Sequence, residues 1–249
     1  MIKAIFFDID GTLIDYENHI MPSSTLIALK ELKKLGIKLF IATGRSPSKL
    51  NIIKQYFRFD GYLTSNGQYC FNDDKVIYEK YIDEQDIKNI LPYINKNHIP
   101  VIFAKKDQNY FNSYIDKVLQ TEKYLVKEDF LTNDIIQLMA YIGEEKDREF
   151  LSYMPHCKSA RWTSSFADII PMEGGKNIGI DQIIKYYQID LDEVMAFGDG
   201  NNDIDMLRHV GTGVAMGNAN DKVREASDYV TSDINNDGIY NALKKFGLI

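Results

Sequence analysis

Cysteine, long apolar runs and clustered basic residues are all scarce in this sequence of 249 residues. Cys70 and Cys157 are its only cysteines, so neither a disulfide network nor a cysteine-rich zinc site can be built. No apolar run approaches the roughly 20 residues that a membrane-spanning helix needs. No run of Lys or Arg exceeds two residues, and the formal net charge is −7, whereas a nucleic-acid-binding surface needs basic side chains. We therefore expect no membrane and no nucleic acid among its partners.

The N-terminal segment lacks the pattern of a secretion signal. Asp8 stands where a signal peptide would still need apolar side chains. We therefore expect a cytoplasmic protein. A hydrophobic content of 45% is ordinary for a globular chain and excludes wholesale disorder. A chain of this length suits one domain that carries a smaller second unit.

Short apolar runs alternate with helical patterns near both ends of the chain, which is typical of a parallel α/β sheet. The apolar runs predict strands over residues 4–7, 37–42, 62–65, 194–197, 213–216 and 229–231. Apolar residues at helical spacing predict helices over residues 24–35, 47–57 and 180–187. The sequence therefore predicts an α/β fold with a doubly wound, Rossmann-like parallel-sheet core.

The middle of the chain follows a different pattern. It is richer in Asn, Tyr and Lys, and polar helical stretches separate its candidate strands, 99–104 and 135–141. We predict an α+β unit over residues 84–170, inserted into an α/β core made of residues 1–83 and 171–249. The alternative is a single large sheet without an insertion.

Polar residues follow the predicted strands of the core at the points where those strands end. Because the carboxyl ends of strands in an open parallel sheet line one crevice, separate segments of the chain converge there. Each motif alone is more often a turn or a solvated loop, and only their common placement makes them informative. The candidate site residues are Asp8, Asp10, Thr43, Gly44, Arg45, Asn66, Lys176, Asp199, Asn202 and Asp203.

Four of these residues are aspartates, and their convergence requires a positive charge. Like charges at close range raise one another's pKa, so four carboxylates cannot all stay ionised without a cation. Mg²⁺ prefers oxygen ligands and is the commonest candidate where phosphate is handled. Lys176 and Thr43 suit phosphate oxygens, as a point charge and a hydroxyl donor. The residues predict a metal-assisted phosphate site in which a carboxylate is available as nucleophile.

Four motifs follow one another along the core: Asp8-Ile9-Asp10-Gly11-Thr12, Thr43-Gly44-Arg45, Lys176 and Gly198-Asp199-Gly200-Asn201-Asn202-Asp203. These ordered motifs resemble those of the haloacid dehalogenase-like hydrolases, and residues 204–207 and 214–219 resemble the Cof-type phosphatase branch. One departure is Asn177, which follows Lys176 where the family usually has glycine. The resemblance weakens in the middle of the chain, as that branch's variable α/β cap implies.

The resemblance implies a Mg²⁺-dependent phosphatase of small phosphorylated metabolites, such as sugar phosphates. Asp8 would attack phosphorus and become an aspartyl-phosphate, and Asp10 would be the general acid and base. The Asp8 and Asp199 carboxylates and the Asp10 main-chain carbonyl would hold Mg²⁺.

The resemblance also implies contacts for the phosphoryl group. Thr43, Lys176 and Asn202 would bind its oxygens, with Asp203 one layer behind them. Gly44, Arg45 and Asn66 are candidate substrate contacts, with structural turns as the alternative.

Two other functions stay open at this level. One is a phosphohexomutase-type phosphotransferase, and the other is a receiver-like signalling module regulated by phosphorylation. We expect the four histidines to be structural or exposed, and Trp162 to serve in packing. The oligomeric state is left open.

Overall fold

The chain, in a computed structural model, is described over residues 1–112 and 134–249. Within these ranges its strands form two separate sheets, one of eight strands and one of five. The strands are β1 (Ala4–Phe7), β2 (Lys38–Ala42), β3 (Gly61–Thr64), β4 (Tyr69–Phe71), β5 (Val76–Glu79), β6 (Val101–Ala104), β7 (Asn109–Phe111), β8 (Gln137–Ala140), β9 (Cys157–Ala160), β10 (Ala167–Pro171), β11 (Val194–Gly198), β12 (Thr212–Ala215) and β13 (Tyr229–Val230). The helices are α1 (Ser23–Lys34), α2 (Asn51–Lys54), α3 (Glu84–Asn97), α4 (Asp147–Leu151), α5 (Lys176–Tyr187), α6 (Ile204–His209), α7 (Asp221–Glu225) and α8 (Gly238–Lys245). None of these helices is long and apolar enough to cross a membrane.

The eight-stranded sheet has the order β13-β12-β11-β1-β2-β3-β4-β5 and is parallel from β13 to β3. Side chains on a strand alternate between the two faces. On β1, Ile5 and Phe7 belong to the cluster that contains α1 and α8, whereas Phe6 packs with residues of α5 and α6. Helices therefore cover both faces of the sheet, and the predicted doubly wound α/β core is confirmed.

The five-stranded sheet has the order β7-β6-β8-β10-β9, and every neighbouring pair of its strands is antiparallel. Helices α3 and α4 pack on one face, through Ile87, Ile90 and Phe150. The expectation of an inserted α+β unit is confirmed, and the alternative of one large sheet is wrong. Residues 84 and 170 as its limits stay a prediction.

Two elements differ from the sequence prediction. The helix expected over 47–57 is only the short α2, which follows a 3₁₀ turn at Pro47–Lys49. Strands β4 and β5 were not predicted. They form a hairpin of three and four residues, and the residues of β5 are exposed or only half-buried, so no continuous apolar run marks it.

Candidate active site

The parallel strands bring the predicted site residues to one edge of the eight-stranded sheet. Asp8 follows β1, Thr43 follows β2 and Asp199 follows β11, and these three strands are neighbours. A cavity of about 90 Å³ opens at this edge. The predicted residues that line it are Asp8, Asp10, Thr43, Gly44, Arg45 and Asn202.

Lys176 lies behind this cavity in an ionic cluster with two aspartates. Its Nζ donates to Asp8 Oδ1 at 2.6 Å and to Asp203 Oδ1 at 2.5 Å, and only 1% of its side chain is exposed. Burial alone would lower the pKa of this lysine, but the two carboxylates raise it above its usual range. Lys176 therefore stays charged and is fixed in place.

The backbone before α5 explains how Lys176 reaches that position. Gly175 caps the helix with a φ of +143°, a conformation that side chains rarely adopt. A Cβ at Gly175 would also lie 2.5 Å from Asn177 Oδ1. The glycine before the lysine is therefore required by the turn that starts the helix.

Asp199 is the second buried carboxylate next to Asp8. Its oxygens accept hydrogen bonds from Thr12 Oγ1 at 2.8 Å and from the Tyr16 hydroxyl at 3.1 Å. Burial and the charge of Asp203 raise the pKa of Asp199 to about 7. Burial also raises the pKa of Asp8 well above its usual value, although Lys176 opposes the shift. A further positive charge nearby would therefore stabilise the ionised form of both carboxyl groups.

The aspartate cluster has the donor set that a divalent cation needs. One carboxylate oxygen from each of Asp8, Asp199 and Asp203 lies within 4.8 Å of the others. Carboxylate oxygens are the hard ligands that Mg²⁺ prefers. Gly11, with a φ of +80°, lies directly against this cluster, because a Cβ there would be 2.2 Å from Asp199 Oδ2. Asp8 and Asp199 therefore fit a bound Mg²⁺, whereas both oxygens of Asp203 already accept hydrogen bonds, from Lys176 and from the main-chain N–H groups of Asp199 and Gly200.

Among the described residues, the cluster consists of Asp8, Asp199 and Asp203, and the Asp10 carboxylate lies outside it. Its two oxygens instead accept hydrogen bonds from Arg45 Nε and Nη2, each at 2.7 Å. Such a two-point contact fixes both side chains. Asp10 and Arg45 therefore form an ion pair at the edge of the small cavity.

Asn66 connects the core loops to the five-stranded sheet. Its φ of +54° is left-handed, a conformation that asparagine tolerates. Its Oδ1 accepts from Asn202 Nδ2 at 3.0 Å, while its Nδ2 donates to Gln137 Oε1 at 3.0 Å and to Asp168 Oδ2 at 2.9 Å. Asn66 is therefore a bridge between the two sheets.

Several residues that line the cavity were missed by sequence reasoning. Trp162 was expected to serve in packing, and its ring does lie nearly parallel to that of Tyr16 at 6.4 Å, but it also lines the cavity and is 40% exposed. Asp168 had a signal, because a charged residue inside an otherwise apolar strand is unusual. Tyr16, Met139 and Phe166 gave none.

The small cavity opens into a larger one of about 490 Å³. Both are lined by Asp10, Tyr16, Arg45, Met139 and Trp162. The larger cavity lies between the core loops and the free face of the five-stranded sheet. Its volume is in the range of pockets that hold small organic ligands.

The histidines lie away from the aspartate cluster. His156 Nδ1 contacts Asp86 Oδ1 at 3.1 Å, and His209 Nε2 contacts Asp181 Oδ1 at 2.7 Å. His19 and His98 occupy left-handed backbone positions, and His19 also lines the larger cavity. These contacts agree with the structural or exposed roles expected for them.

Comparison with known proteins places this geometry in a family. The model of the haloacid dehalogenase-like hydrolases matches residues 5–243. The candidate phosphatase YkrA of Bacillus subtilis is 33% identical over 255 residues, which cover 99% of this chain and 98% of YkrA. The 5-amino-6-(5-phospho-D-ribitylamino)uracil phosphatase YcsE of the same organism is 26% identical, over 99% of this chain and 96% of YcsE.

Two solved structures share the fold over the whole chain. The HAD subclass IIB sugar phosphatase BT4131 is 41% identical with a TM-score of 0.91, over 99% of this chain and 100% of that one. The phosphatase BT1666 from Bacteroides thetaiotaomicron is 34% identical with a TM-score of 0.91, over 100% and 96% of the two chains. The chain therefore belongs to the haloacid dehalogenase-like hydrolases, in their Cof-type branch, and is a phosphoric monoester hydrolase.

Proposed function

We propose that this protein is a Mg²⁺-dependent phosphatase of small phosphorylated metabolites, sugar phosphates or similar compounds, that acts through an aspartyl-phosphate on Asp8. The observation that carries the proposal is the contact between Lys176 and Asp8 on the wall of a cavity that Thr43 and Asp10 also line. Two relatives support the substrate class, since BT4131 is a sugar phosphatase and YcsE acts on a phosphorylated ribityl compound.

In the proposed first step, a carboxylate oxygen of Asp8 attacks phosphorus, and the bond from phosphorus to the leaving-group oxygen breaks. Asp10 donates a proton to that oxygen. In the second step water attacks the aspartyl-phosphate, Asp10 takes the proton from water, and Asp8 is released with inorganic phosphate. Because Asp10 is paired with Arg45, these proton transfers require Asp10 to leave the guanidinium, which then becomes free to contact the substrate.

The remaining residues hold the transferring group in place. Lys176, Thr43 and Asn202 bind the phosphoryl oxygens, and phosphoryl transfer depends chiefly on such positioning and charge stabilisation. Asp203 orients Lys176 and accepts from the main-chain N–H groups of Asp199 and Gly200. A Mg²⁺ bound by Asp8, Asp199 and the Asp10 carbonyl would offset the negative charge of the phosphoryl group.

The proposal is tested by phosphate release from p-nitrophenyl phosphate and from about a hundred phosphorylated metabolites. We expect activity with Mg²⁺, a loss of about 100-fold or more in excess chelator, and recovery when Mg²⁺ is restored. Ca²⁺ should substitute poorly, because it takes more ligands at longer distances. Full activity in chelator would contradict the metal assignment. Formation of an isomer from a hexose 1-phosphate, without phosphate release, would favour a mutase.

We also propose that residues 84–170 act as a cap that supplies the leaving-group side of the pocket. Four residues of this segment support the proposal, because they line the small cavity opposite the core loops: Met139, Trp162, Phe166 and Asp168. The core then binds the phosphoryl group, and the cap contacts the rest of the substrate.

Trp162→Ala should weaken binding of organic phosphates without affecting the phosphoryl site. We expect KM to rise about two- to tenfold, since one aromatic wall is lost, while inhibition by inorganic phosphate stays unchanged. Tyr153→Ala is the matched control, because Tyr153 is equally exposed on the same segment but packs on Tyr93. Steady-state kinetics of both variants measure the effect, and an equal change in KM would contradict the role of Trp162.

A further inference from the structure

A row of four side chains crosses the free face of the five-stranded sheet. The strand registers pair Phe111 with Ile102, Ile102 with Met139, and Met139 with Asp168. Neighbouring strands lie about 4.8 Å apart, so the row spans about 14 Å. Asp168 and Met139 line the small cavity, and Met139, Ile102 and Phe111 line the large one. The row therefore forms one wall from the nucleophile outward.

Asp168 is the charged member of this otherwise apolar row. It is 2% exposed, and its Oδ2 accepts a hydrogen bond from Asn66 Nδ2 at 2.9 Å. Its Oδ1 is buried and has no hydrogen-bond partner among residues 1–112 and 134–249. Buried polar groups are normally paired, and an unpaired one destabilises the folded protein. Folding by itself therefore gives no reason for an aspartate here.

The pKa of Asp168 also indicates that its buried carboxylate destabilises the fold. Burial raises its pKa to about 7, although the Asn66 hydrogen bond and the charges of Lys176 and Arg161 lower it. A carboxyl group whose pKa is higher in the folded protein contributes stability at low pH and loses it as the pH rises. From about pH 4 to about pH 7, therefore, Asp168 progressively destabilises the fold.

We propose that Asp168 is a specificity-determining residue, whose Oδ1 accepts a hydrogen bond from a hydroxyl of the leaving group close to the ester oxygen. The protein then selects phosphate esters of polyols and sugars over esters that lack this hydroxyl. This inference rests on the proposed phosphatase function and adds the feature of the substrate that the cap recognises.

Two observations favour a hydroxyl near the ester. Asp168 and Asp8 line the same cavity of about 90 Å³, which leaves room for little more than the phosphoryl group and its first substituents. The wall beside Asp168 is otherwise apolar, since Met139 and Phe166 line the same cavity, and burying a charged group there costs more than burying a neutral one. A neutral hydroxyl satisfies the Asp168 oxygen without bringing a further charge against this wall.

The test compares glycerol 3-phosphate with propyl phosphate, which has the same carbon chain without hydroxyls, in wild type and Asp168→Asn. p-Nitrophenyl phosphate reports the core reaction. In wild type we expect kcat/KM to favour the glycerol ester by about tenfold or more, because a site built to bind a hydroxyl rejects analogues that lack it. Asp168→Asn should remove most of this preference. Its kcat/KM for propyl phosphate and for p-nitrophenyl phosphate should stay within about threefold of the wild-type values.

Melting temperatures at pH 8 separate recognition from a structural role. Asp168→Asn keeps the acceptor for Asn66 and removes a buried charge, so its melting temperature should rise by about 2–6 °C. The matched control is Asp86→Asn, since Asp86 is equally buried but both its oxygens bond to His156. That control should lower the melting temperature and keep the substrate preference.

The possible failures are distinguishable. If the wild-type protein releases phosphate from none of the three esters, the phosphatase function itself is wrong. If it hydrolyses p-nitrophenyl phosphate but shows no preference for the glycerol ester, or if Asp168→Asn keeps the preference, the assignment of Asp168 is overturned and the phosphatase function stands. An equal loss on all three substrates would likewise assign Asp168 a structural role.

Discussion

Asp8→Asn should abolish phosphate release from every ester, by about 10⁵-fold or more, because it removes the carboxylate proposed to attack phosphorus. An amide at position 8 cannot form the aspartyl-phosphate, so no substrate should leave a phosphoryl group on the protein. Lys176 keeps its ion pair with Asp203 in this variant, and an amide oxygen at position 8 can still accept its hydrogen bond, so the variant should fold. Phosphate release and intact-protein mass after mixing with substrate measure both outcomes.

Asp10→Asn is the matched control, since it has the same chemistry two residues away. It removes a proton carrier, which is worth about 10²–10⁴-fold in rate. p-Nitrophenolate is a weakly basic leaving group, so the first step should still proceed, while hydrolysis stalls because no base activates water.

The two variants therefore differ in a pre-steady-state experiment. Asp10→Asn should give a burst of p-nitrophenol near one per active site, with phosphoryl mass on the peptide that holds Asp8. If Asp8→Asn gives this burst instead, the roles assigned to the two aspartates are exchanged and the mechanism is wrong.

Lys176→Met should damage both stability and activity, because it leaves the buried carboxylates of Asp8 and Asp203 without their ammonium partner. Removing one partner of a buried ion pair typically costs about 3–5 kcal/mol. Loss of a charge that stabilises the phosphoryl oxygens should lower kcat by about 10²–10³-fold. Lys176 also lowers the pKa of Asp8, so its removal makes the nucleophile harder to ionise.

Lys80→Met is the control for Lys176→Met. Lys80 forms a solvated ion pair with Glu173 at 3.3 Å, and such pairs contribute about 0–1 kcal/mol. Urea unfolding and p-nitrophenyl phosphate kinetics of both variants provide the comparison. Equal losses of unfolding free energy in the two variants would show that the buried ion pairs of Lys176 stabilise the fold no more than a surface pair does. An unchanged kcat in Lys176→Met would show that Lys176 takes no part in the reaction.

The chain's own sequence determined the core and the positions of its motif residues. Asp8, Thr43 and Asp199 each follow a short buried strand, which is a local pattern. The rule that parallel strands present their carboxyl ends at one edge then brings these residues together without further information. Helix periodicity and the change of pattern in the middle of the chain were enough to predict two units.

Only the tertiary structure determined which residues line the cavity. The period-two alternation of a strand separates Asp168 from Ile169, but it does not tell which of the two faces meets the core. Trp162 and Tyr16 are 146 positions apart along the chain, and their ring contact depends on how the two sheets sit against each other. The ion pair between Asp10 and Arg45 and the bridge through Asn66 have the same origin, because side-chain contacts between distant segments follow from packing rather than from any local pattern.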